Sequence, residues 1–275
     1  MPLLDRLIWQ IETNLDSELS LPSLSERCAV NVHHMCRAFQ LATGMSIMSY
    51  VRARRLSNAA RVIVSSNANI ITVALDAGYG SHEAFTRAFA SYFGTAPSSL
   101  RNGRFALELE LMEPFEMNKE MIVPVRPPQK RERAPFRVVG LGTDCSFAKT
   151  GAIPALWQSF FARESNIVGV VPGAAYGVCC MGDEAGNFRY IAGVEASAST
   201  PGMEQIELCW QHYAVFTHSG HISDLSKTIY TIWNKTMPES GLEAAKAPDF
   251  ELYDHRFDGG TGRGEMEIWI PVVTS

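Results

Sequence analysis

The stretches HHMCRAFQLATG (residues 33–44) and EAFTRAFASYFG (residues 83–94) repeat the triplet Arg-Ala-Phe at an interval of 50 residues. In both stretches a glycine follows the phenylalanine by five positions. Apolar residues recur in each with the spacing of one face of an α-helix, and glycine is a common residue just after a helix ends. The repeat therefore predicts two similar amphipathic helices that end at Gly44 and Gly94.

Each predicted helix has an apolar face and a polar face. The residues predicted to point inward are Met35, Phe39, Ala42, Phe85, Phe89 and either Tyr92 or Phe93. The residues predicted to point outward are His33, Cys36, Arg37 and Gln40 in the first helix, and His82, Glu83, Thr86 and Arg87 in the second.

The sequence around the repeat predicts a helix-turn-helix pair at each copy. Residues 2–15 and 21–30 have helical periodicity before the first copy, and residues 69–80 do so before the second. A longer helix over about residues 46–65 joins the two pairs. No strand-like alternation interrupts this region, so residues 1–107 are predicted to be an all-α domain.

The polar faces of the two helices suit the major groove of DNA. Arg37 and Arg87 each lie among hydrogen-bonding neighbours, and arginine binds guanine with two hydrogen bonds. A spacer helix of about 20 residues is roughly 30 Å long, close to the ~34 Å of one DNA turn. Double-stranded DNA is therefore the predicted partner, and the eight outward residues are the predicted DNA-binding residues. The candidates for phosphate contacts on the spacer are Arg52, Arg54, Arg55 and Arg61, although some of them could face acidic neighbours instead.

Charge and cysteine content narrow the class of protein. The net charge is −5, but residues 1–105 hold ten arginines, no lysine and seven acidic residues, a net +3. Such an asymmetry supports a polyanion partner for the N-terminal part.

The six cysteines show no CxxC spacing, and the HHMC sequence has no second ligand pair, so neither a metal nor a cofactor is expected. Without a signal peptide or a long apolar run, the protein is expected in the cytoplasm, with no membrane partner.

The C-terminal half has a different pattern. Residues 108–133 are acidic and then proline-rich and basic, which indicates a linker, part of which could pair as an edge strand. Residues 134–275 alternate strands and single helices in the order β-α-β-β, twice. The pattern predicts an α+β domain with an antiparallel sheet and a groove between two halves, where a small molecule would bind. Glu251 is the candidate ligand residue, because alternation places it opposite Phe250 and Leu252, and a carboxylate among aromatic rings attracts organic cations.

The N-terminal part resembles the AraC/XylS-type transcription regulators. The resemblance lies in VALDAGYGSHEAFTRAFASYFGTAPSSLR (residues 73–101), with a second match in residues 24–56. The matching residues are Ala74, Gly78, Tyr79, Phe85, Arg87, Phe89, Phe93, Gly94, Ala96, Pro97, Leu100 and Arg101. The resemblance implies base contacts from the third and sixth helices, at His33, Cys36, Arg37, His82, Glu83 and Arg87, and RNA polymerase as a further partner. Cys36 departs from the longer polar side chain that is common in the family at its position.

The C-terminal part resembles the GyrI-like effector-binding domains. The matching phrases are IPALWQSFF, YGVCC, FRYIAGVEA, YAVFTHSGHISDLSKTIYTIWNKTMPESG, APDFELYDHRF and EIWIPV, within residues 134–273. The order of the two domains is similar to that of the Rob-type regulators, which implies multidrug sensing. The resemblance implies that Glu251 contacts cationic effectors and that Trp157, Tyr176 and Tyr213 line the same pocket.

Three other functions are consistent with parts of the sequence. Some GyrI-like proteins are hydrolases of small electrophiles, and Glu251 with a tyrosine could activate water. The C-terminal half could also sequester drugs without any role in transcription, and the helix pairs could be a protein-interaction module. The sequence favours a DNA-binding regulator that is not an enzyme, because it contains no Ser-His-Asp order, phosphate loop or metal-ligand spacing.

Overall fold

The computed structural model describes residues 2–30, 32–102, 109–115, 119–146, 151–180 and 187–273, without the side chains of His33, Asn102, Lys119 and Ser146. The helices of the N-terminal part are α1 (Leu3–Glu12), α2 (Leu21–Cys28), α3 (Val32–Thr43), α4 (Ile47–Ser65), α5 (Ile70–Asp76) and α6 (His82–Phe93). The later helices are α7 (Ile153–Phe161), α8 (Leu225–Thr231) and α9 (Met237–Ser240), and a π-helical turn (Ile232–Thr236) joins α8 to α9. Short 3₁₀ helices span Pro97–Asn102, Lys119–Met121, Glu164–Asn166 and Ile222–Asp224.

The strands follow in chain order from residue 129. They are β1 (Gln129–Arg133), β2 (Phe136–Ser146), β3 (Val170–Cys179), β4 (Asn187–Ala196), β5 (Glu204–Leu208), β6 (Gln211–His221), β7 (Asp249–Asp254), β8 (Phe257–Asp258) and β9 (Arg263–Pro271).

Local capping explains where the predicted helices begin and end. The Ser46 hydroxyl accepts a hydrogen bond from the Ser49 amide ahead of α4, and the Ser81 hydroxyl accepts one from the Ala84 amide ahead of α6. Gly44 and Gly94 follow α3 and α6 with φ of +74° and +71°, a region that favours glycine. Asn31 precedes α3 and is of a residue type that predicts an N-cap, but it lies outside the described residues.

One antiparallel sheet contains the nine strands of the described ranges, in the order β1-β6-β9-β7-β3-β4-β2-β5, with β8 paired to β9. The two repeats are β2-α7-β3-β4 and β6-α8-β7-β9, and they meet at the β3·β7 pair in the middle of the sheet. The structure confirms the α+β fold with duplicated β-α-β-β units. Central strands of both repeats thus bring residues that are distant in sequence into direct register.

The range predicted as a linker supplies an edge strand, as the sequence allowed. β1 lies inside that range and pairs with β6, so the sheet begins before residue 134. The single strand predicted before the second helix is two strands, β5 and β6, because the extended structure is interrupted at Cys209 and Trp210. The sequence also predicts a hairpin turn at residues 183–187, which lies almost entirely outside the described residues.

The hydrophobic cores do not follow the two predicted domains. The second helix-turn-helix pair has its own core, formed by α4 residues such as Leu56 and Ile63 with Phe85 and Phe89 of α6. The first pair shares a continuous core with the second β-α-β-β unit instead. That shared core contains Leu4, Leu7, Phe39, Phe216, Tyr230, Trp233, Met266 and Ile268. None of the described helices is both long and apolar enough to cross a membrane.

Candidate DNA-reading helices and effector site

Helix α6 presents its polar face to solvent. His82, Glu83 and Arg87 are exposed, whereas Phe85 and Phe89 on the opposite face are completely buried. Thr86 departs from the prediction, because it is only half-exposed and its hydroxyl oxygen is buried. Of the four residues predicted to point outward on this helix, His82, Glu83 and Arg87 are therefore accessible.

Helix α3 does not present its polar face to solvent, contrary to the sequence-based expectation. Cys36 and Gln40 are buried, and the side chain of Arg37 is 12% exposed. The C-terminal half packs against this part of the helix, since Arg37 pairs with Asp249 and Glu251 and His34 stacks on Trp233 with ring centroids 4.5 Å apart. The periodicity placed these side chains on one face correctly, but that face is an interdomain contact in this structure.

Arg37 is bound by two buried carboxylates at the centre of the sheet. Its Nη1 donates to Asp249 Oδ2 at 2.7 Å, and its Nη2 donates to Glu251 Oε1 at 3.1 Å. Burial alone would lower the pKa of Arg37, but Cys179, Asp249 and Glu251 raise that pKa above its ordinary value. His34 Nε2 lies 3.4 Å from Asp249 Oδ1. The site thus joins a helix of the N-terminal part to a strand of the C-terminal part through charge.

Two tyrosines hold the other oxygen of Glu251. The hydroxyls of Tyr190 and Tyr253 each donate to Glu251 Oε2 at 2.9 Å. Burial, and then the charge of Glu251, raise the pKa of both tyrosines well above its ordinary value, so both remain donors at neutral pH. Trp157 Nε1 donates to the Tyr190 hydroxyl at 3.2 Å and extends the network to α7.

A glycine on β3 makes room for this network. Gly177 pairs with Glu251 across the β3·β7 ladder. A Cβ at this position would lie 2.0 Å from the Tyr190 hydroxyl oxygen and 2.9 Å from Glu251 Oε2. Only a residue without a side chain leaves space for the Tyr190 hydroxyl to reach the carboxylate.

Aromatic rings surround the carboxylate on the helix-bearing face of the sheet. Trp157 packs edge-to-face on Tyr253 with centroids 5.2 Å apart, and Phe161 next to it is 53% exposed. Buried carboxylates with an aromatic wall and a solvent-exposed rim are suited to an organic cation.

Only two of the four predicted effector residues share this site. Glu251 and Trp157 belong to it, whereas Tyr176 and Tyr213 lie on the opposite face of the sheet, in a cluster with Phe250. The reason is register, because Tyr176 pairs with Leu252, which points away from Glu251. The prediction that all four line one pocket is therefore corrected. Tyr253 could have been found by alternation from Glu251, but Tyr190 required the sheet register.

The opposite face has its own charged group. The Arg133 guanidinium lies 3.9 Å from the centroid of the Phe136 ring and pairs with Glu195 at 2.7 Å. The Tyr176 hydroxyl also accepts from Arg133, at 2.8 Å. Tyr176 thus helps to fasten the edge strand β1 to the sheet.

Arg54 on the spacer helix α4, one of the arginines predicted to contact phosphate, is bound inside the protein instead. Arg54 is buried, and its Nε and Nη2 donate to the two oxygens of Glu12 at 2.8 and 2.7 Å. Tyr50 donates to Glu12 Oε1 at 2.7 Å. Burial alone would raise the pKa of Glu12, but the bonds from Arg54 and Tyr50 lower it overall. Arg52, in contrast, is exposed.

We expect Glu12→Gln to destabilise the N-terminal part by about 1–3 kcal/mol, because the buried Arg54 loses hydrogen bonds to a charged acceptor. Since the folded pKa of Glu12 lies below the unfolded one, its contribution is present above the unfolded pKa and is lost as the pH falls through the folded pKa. Urea unfolding between pH 3 and 7 measures both effects, with the exposed Asp16→Asn as the control. Equal losses in the two variants would contradict the assignment.

Comparison with known proteins agrees with this architecture. The family model of the GyrI-like small molecule binding domain matches residues 126–273, and a helix-turn-helix domain model matches residues 24–103. MarA, the multiple antibiotic resistance protein of Escherichia coli, is 35% identical over 109 residues, which are 40% of this chain and 85% of that protein. The chain belongs to the AraC-type transcription regulators that carry a GyrI-like small-molecule binding domain.

Two further relatives resemble this regulator over different lengths. The transcriptional regulator Rob of Salmonella typhimurium is 27% identical over 285 aligned residues, covering 98% of the regulator and 96% of Rob. The transcriptional regulator BrlR of Pseudomonas aeruginosa is 36% identical over 146 residues, and the regulator spans about half (53%) of its length. The regulator therefore matches Rob over both of its parts.

Proposed function

We propose that the regulator reads duplex DNA with the outer face of α6, through His82, Glu83 and Arg87, and with the corresponding face of α3. The exposure of these α6 side chains above a buried Phe85–Phe89 face supports this assignment. An arginine on the second helix of a helix-turn-helix pair is in the position that contacts base edges in the major groove. For α3 the proposal includes His33, Cys36, Arg37 and Gln40, once that face is free.

Selection of bound fragments from random duplex DNA tests this function. We expect a recovered motif with two boxes about one helical turn apart. Arg87→Ala should weaken binding to that motif by about 1–3 kcal/mol, and it should weaken binding to random DNA less. Arg163→Ala, which removes an exposed arginine of the C-terminal half, is the charge-matched control. Equal losses on motif and random DNA would rule out base contacts by Arg87.

We propose that the effector is an apolar organic cation bound at Glu251. The observation that carries this proposal is that the buried carboxylate of Glu251 accepts hydrogen bonds from Tyr190 and Tyr253, with Trp157 packed on Tyr253 and a second buried carboxylate, that of Asp249, close enough to bind the same guanidinium. Cations on aromatic faces gain roughly 0.5–2 kcal/mol beyond charge pairing. The specificity expected is therefore for lipophilic cations over neutral molecules of the same shape.

Calorimetry with tetraphenylphosphonium tests this effector class. We expect the wild-type protein to bind tetraphenylphosphonium and not to bind the neutral triphenylphosphine oxide. Glu251→Gln should weaken binding by about tenfold, which corresponds to ~1.4 kcal/mol, because Asp249 still supplies a charge. Glu195→Gln, on the opposite face of the sheet, should have no effect. Equal binding of the charged and the neutral compound would contradict a cation site.

The contacts of Glu251 favour binding rather than catalysis. Its Oε2 accepts from two tyrosines and its Oε1 accepts from Arg37, so the carboxylate is engaged as an acceptor on both oxygens. We therefore propose a receptor site and no hydrolase activity. RNA polymerase is the proposed protein partner, since a DNA-bound regulator acts on transcription, and the cytoplasm, where bacterial DNA lies, is the proposed location.

A further inference from the structure

Arg37 occupies the place in the effector site that an organic cation would take. Its guanidinium lies between the carboxylates of Asp249 and Glu251, and both carboxylates are nearly inaccessible to solvent. We propose that Arg37 is the resident cation of this site, and that an effector cation displaces it and thereby releases α3 to read DNA. This inference rests on the proposed function, because it requires both the effector site and DNA reading by α3.

One guanidinium cannot serve both purposes at once. In this structure, Nη1 and Nη2 of Arg37 are directed at carboxylate oxygens, so the atoms that would bind guanine are already used. Cys36 and Gln40 on the same face are buried as well. DNA reading by α3 and occupation of the effector site by Arg37 are therefore alternative states of one molecule.

Contacts besides the charge pair also hold α1 and α3 in the docked state. His34 stacks on Trp233, and the Leu4 amide donates to Asn234 Oδ1 at 2.9 Å. Leu4 and Leu7 lie in the same core as Trp233. An effector must thus replace the charge of Arg37 and must also bind the separated state better than the docked state. An aromatic cation can provide both through Trp157 and Tyr253.

The second reader stays available in the docked state. Arg87 and His82 on α6 are exposed, and the core beneath α6 is separate from the shared core. Without effector the regulator therefore has one free reading helix, and with effector it has two. Because the undocked minority can already read two boxes, the effector is expected to strengthen binding of two-box DNA and to leave binding of a single α6 box unchanged.

Thermodynamic linkage makes the inference measurable in both directions. If a cation raises DNA affinity by some factor, DNA must raise cation affinity by the same factor. If α3 is docked for about 90% of the time, freeing it increases apparent affinity by about tenfold. The two couplings have to agree within error.

The first experiment uses the full chain, tetraphenylphosphonium and the two-box DNA fragment obtained by selection. We expect saturating tetraphenylphosphonium to tighten binding of two-box DNA by about tenfold and to leave binding of a single α6 box unchanged. The affinity for tetraphenylphosphonium should rise by the same factor when two-box DNA is bound. Unchanged affinities in both directions would overturn the inference.

The repeated Arg-Ala-Phe motif supplies a matched pair of variants. Arg37→Ala should weaken binding to two-box DNA and yet bind tetraphenylphosphonium about tenfold more tightly, because the internal competitor is gone. Arg87→Ala should also weaken DNA binding but leave cation affinity unchanged. Equal cation affinities for the two variants would contradict displacement of Arg37. If Arg37→Ala fails to fold, the wild-type coupling decides the question alone.

The outcomes separate this inference from the function beneath it. If no lipophilic cation gave a heat of binding, the effector site itself would be ruled out, and the inference would fail with it. If neither arginine variant lost specific DNA binding, the proposed role of these two arginines in DNA reading would be ruled out. Binding of both cation and DNA without coupling would leave the proposed function in place and overturn only the displacement of Arg37.

Discussion

Phe39→Ala is expected to destabilise α1–α3 and the second β-α-β-β unit together, by about 3–5 kcal/mol. Phe39 is completely buried, with its ring 5.4 Å from that of Tyr50, and it lies in the core that also contains Phe216, Trp233 and Met266. A cavity in a continuous core weakens every element that packs around it. The loss should therefore extend across the boundary between the DNA-binding and effector-binding parts.

The equivalent change in the second Arg-Ala-Phe motif is its control. Phe89→Ala should have a similar local magnitude, because Phe89 is also completely buried, between Phe85 and Phe93. Its core contains α4, α5 and α6 and no strand of the sheet. We expect Phe89→Ala to destabilise the second helix-turn-helix pair alone.

Hydrogen exchange measured along the chain distinguishes the two variants. In Phe39→Ala, faster exchange is expected in α3 and α8 together. In Phe89→Ala, it is expected in α5 and α6, with α8 unchanged. Faster exchange in α8 after Phe89→Ala, or normal exchange in α8 after Phe39→Ala, would contradict the division of the cores.

Gly177→Ala is expected to destabilise the sheet by roughly 3–5 kcal/mol and to weaken effector binding. The new Cβ would lie 2.0 Å from the Tyr190 hydroxyl oxygen, and Tyr190 is buried beneath Trp157, so its ring has little room to move. Overpacking typically costs about 1–3 kcal/mol, and a lost hydrogen bond to a charged group costs about 1.5–3 kcal/mol. The network around Glu251 should be disrupted as a consequence.

Thermal unfolding and calorimetry with tetraphenylphosphonium measure these two effects. Gly259→Ala is the matched control, because a Cβ there meets no atom within 4 Å. We expect wild-type behaviour from Gly259→Ala in both assays. Wild-type stability and cation affinity in Gly177→Ala would show that the contact between Tyr190 and Glu251 is not required.

The sequence predicted the helices well because their signals are local. The positions of α3, α4 and α6 follow from apolar periodicity together with nearby serine and glycine caps, and the structure confirms them. Helix α2 begins at Leu21, the first residue of the range 21–30 that was predicted as helical, and Ser20 caps it. Pro22 lies within the first turn, where a missing amide is tolerated.

The sites were less predictable because they depend on distant contacts. A polar face of α3 with Cys36, Arg37 and Gln40 has the same pattern whether it meets DNA or another domain. Alternation along a strand predicts which of its own side chains share a face. It does not predict which side chains of the other strands lie on that face, because that depends on the register between strands. The resemblance to GyrI-like domains grouped Tyr176 and Tyr213 with Glu251, and Tyr190, which bonds to Glu251, was missed.

The reactivity of the two motif arginines tests the central claim most directly. Phenylglyoxal modifies accessible guanidinium groups, and mass spectrometry can quantify Arg37 and Arg87 in the same sample of full-length protein. Without effector, Arg87 should react quickly and Arg37 slowly, because Arg87 is exposed and Arg37 is held by Asp249 and Glu251. With saturating tetraphenylphosphonium, Arg37 should become reactive while Arg87 stays unchanged. Equal reactivity of the two arginines without effector would contradict the claim that Arg37 occupies the effector site.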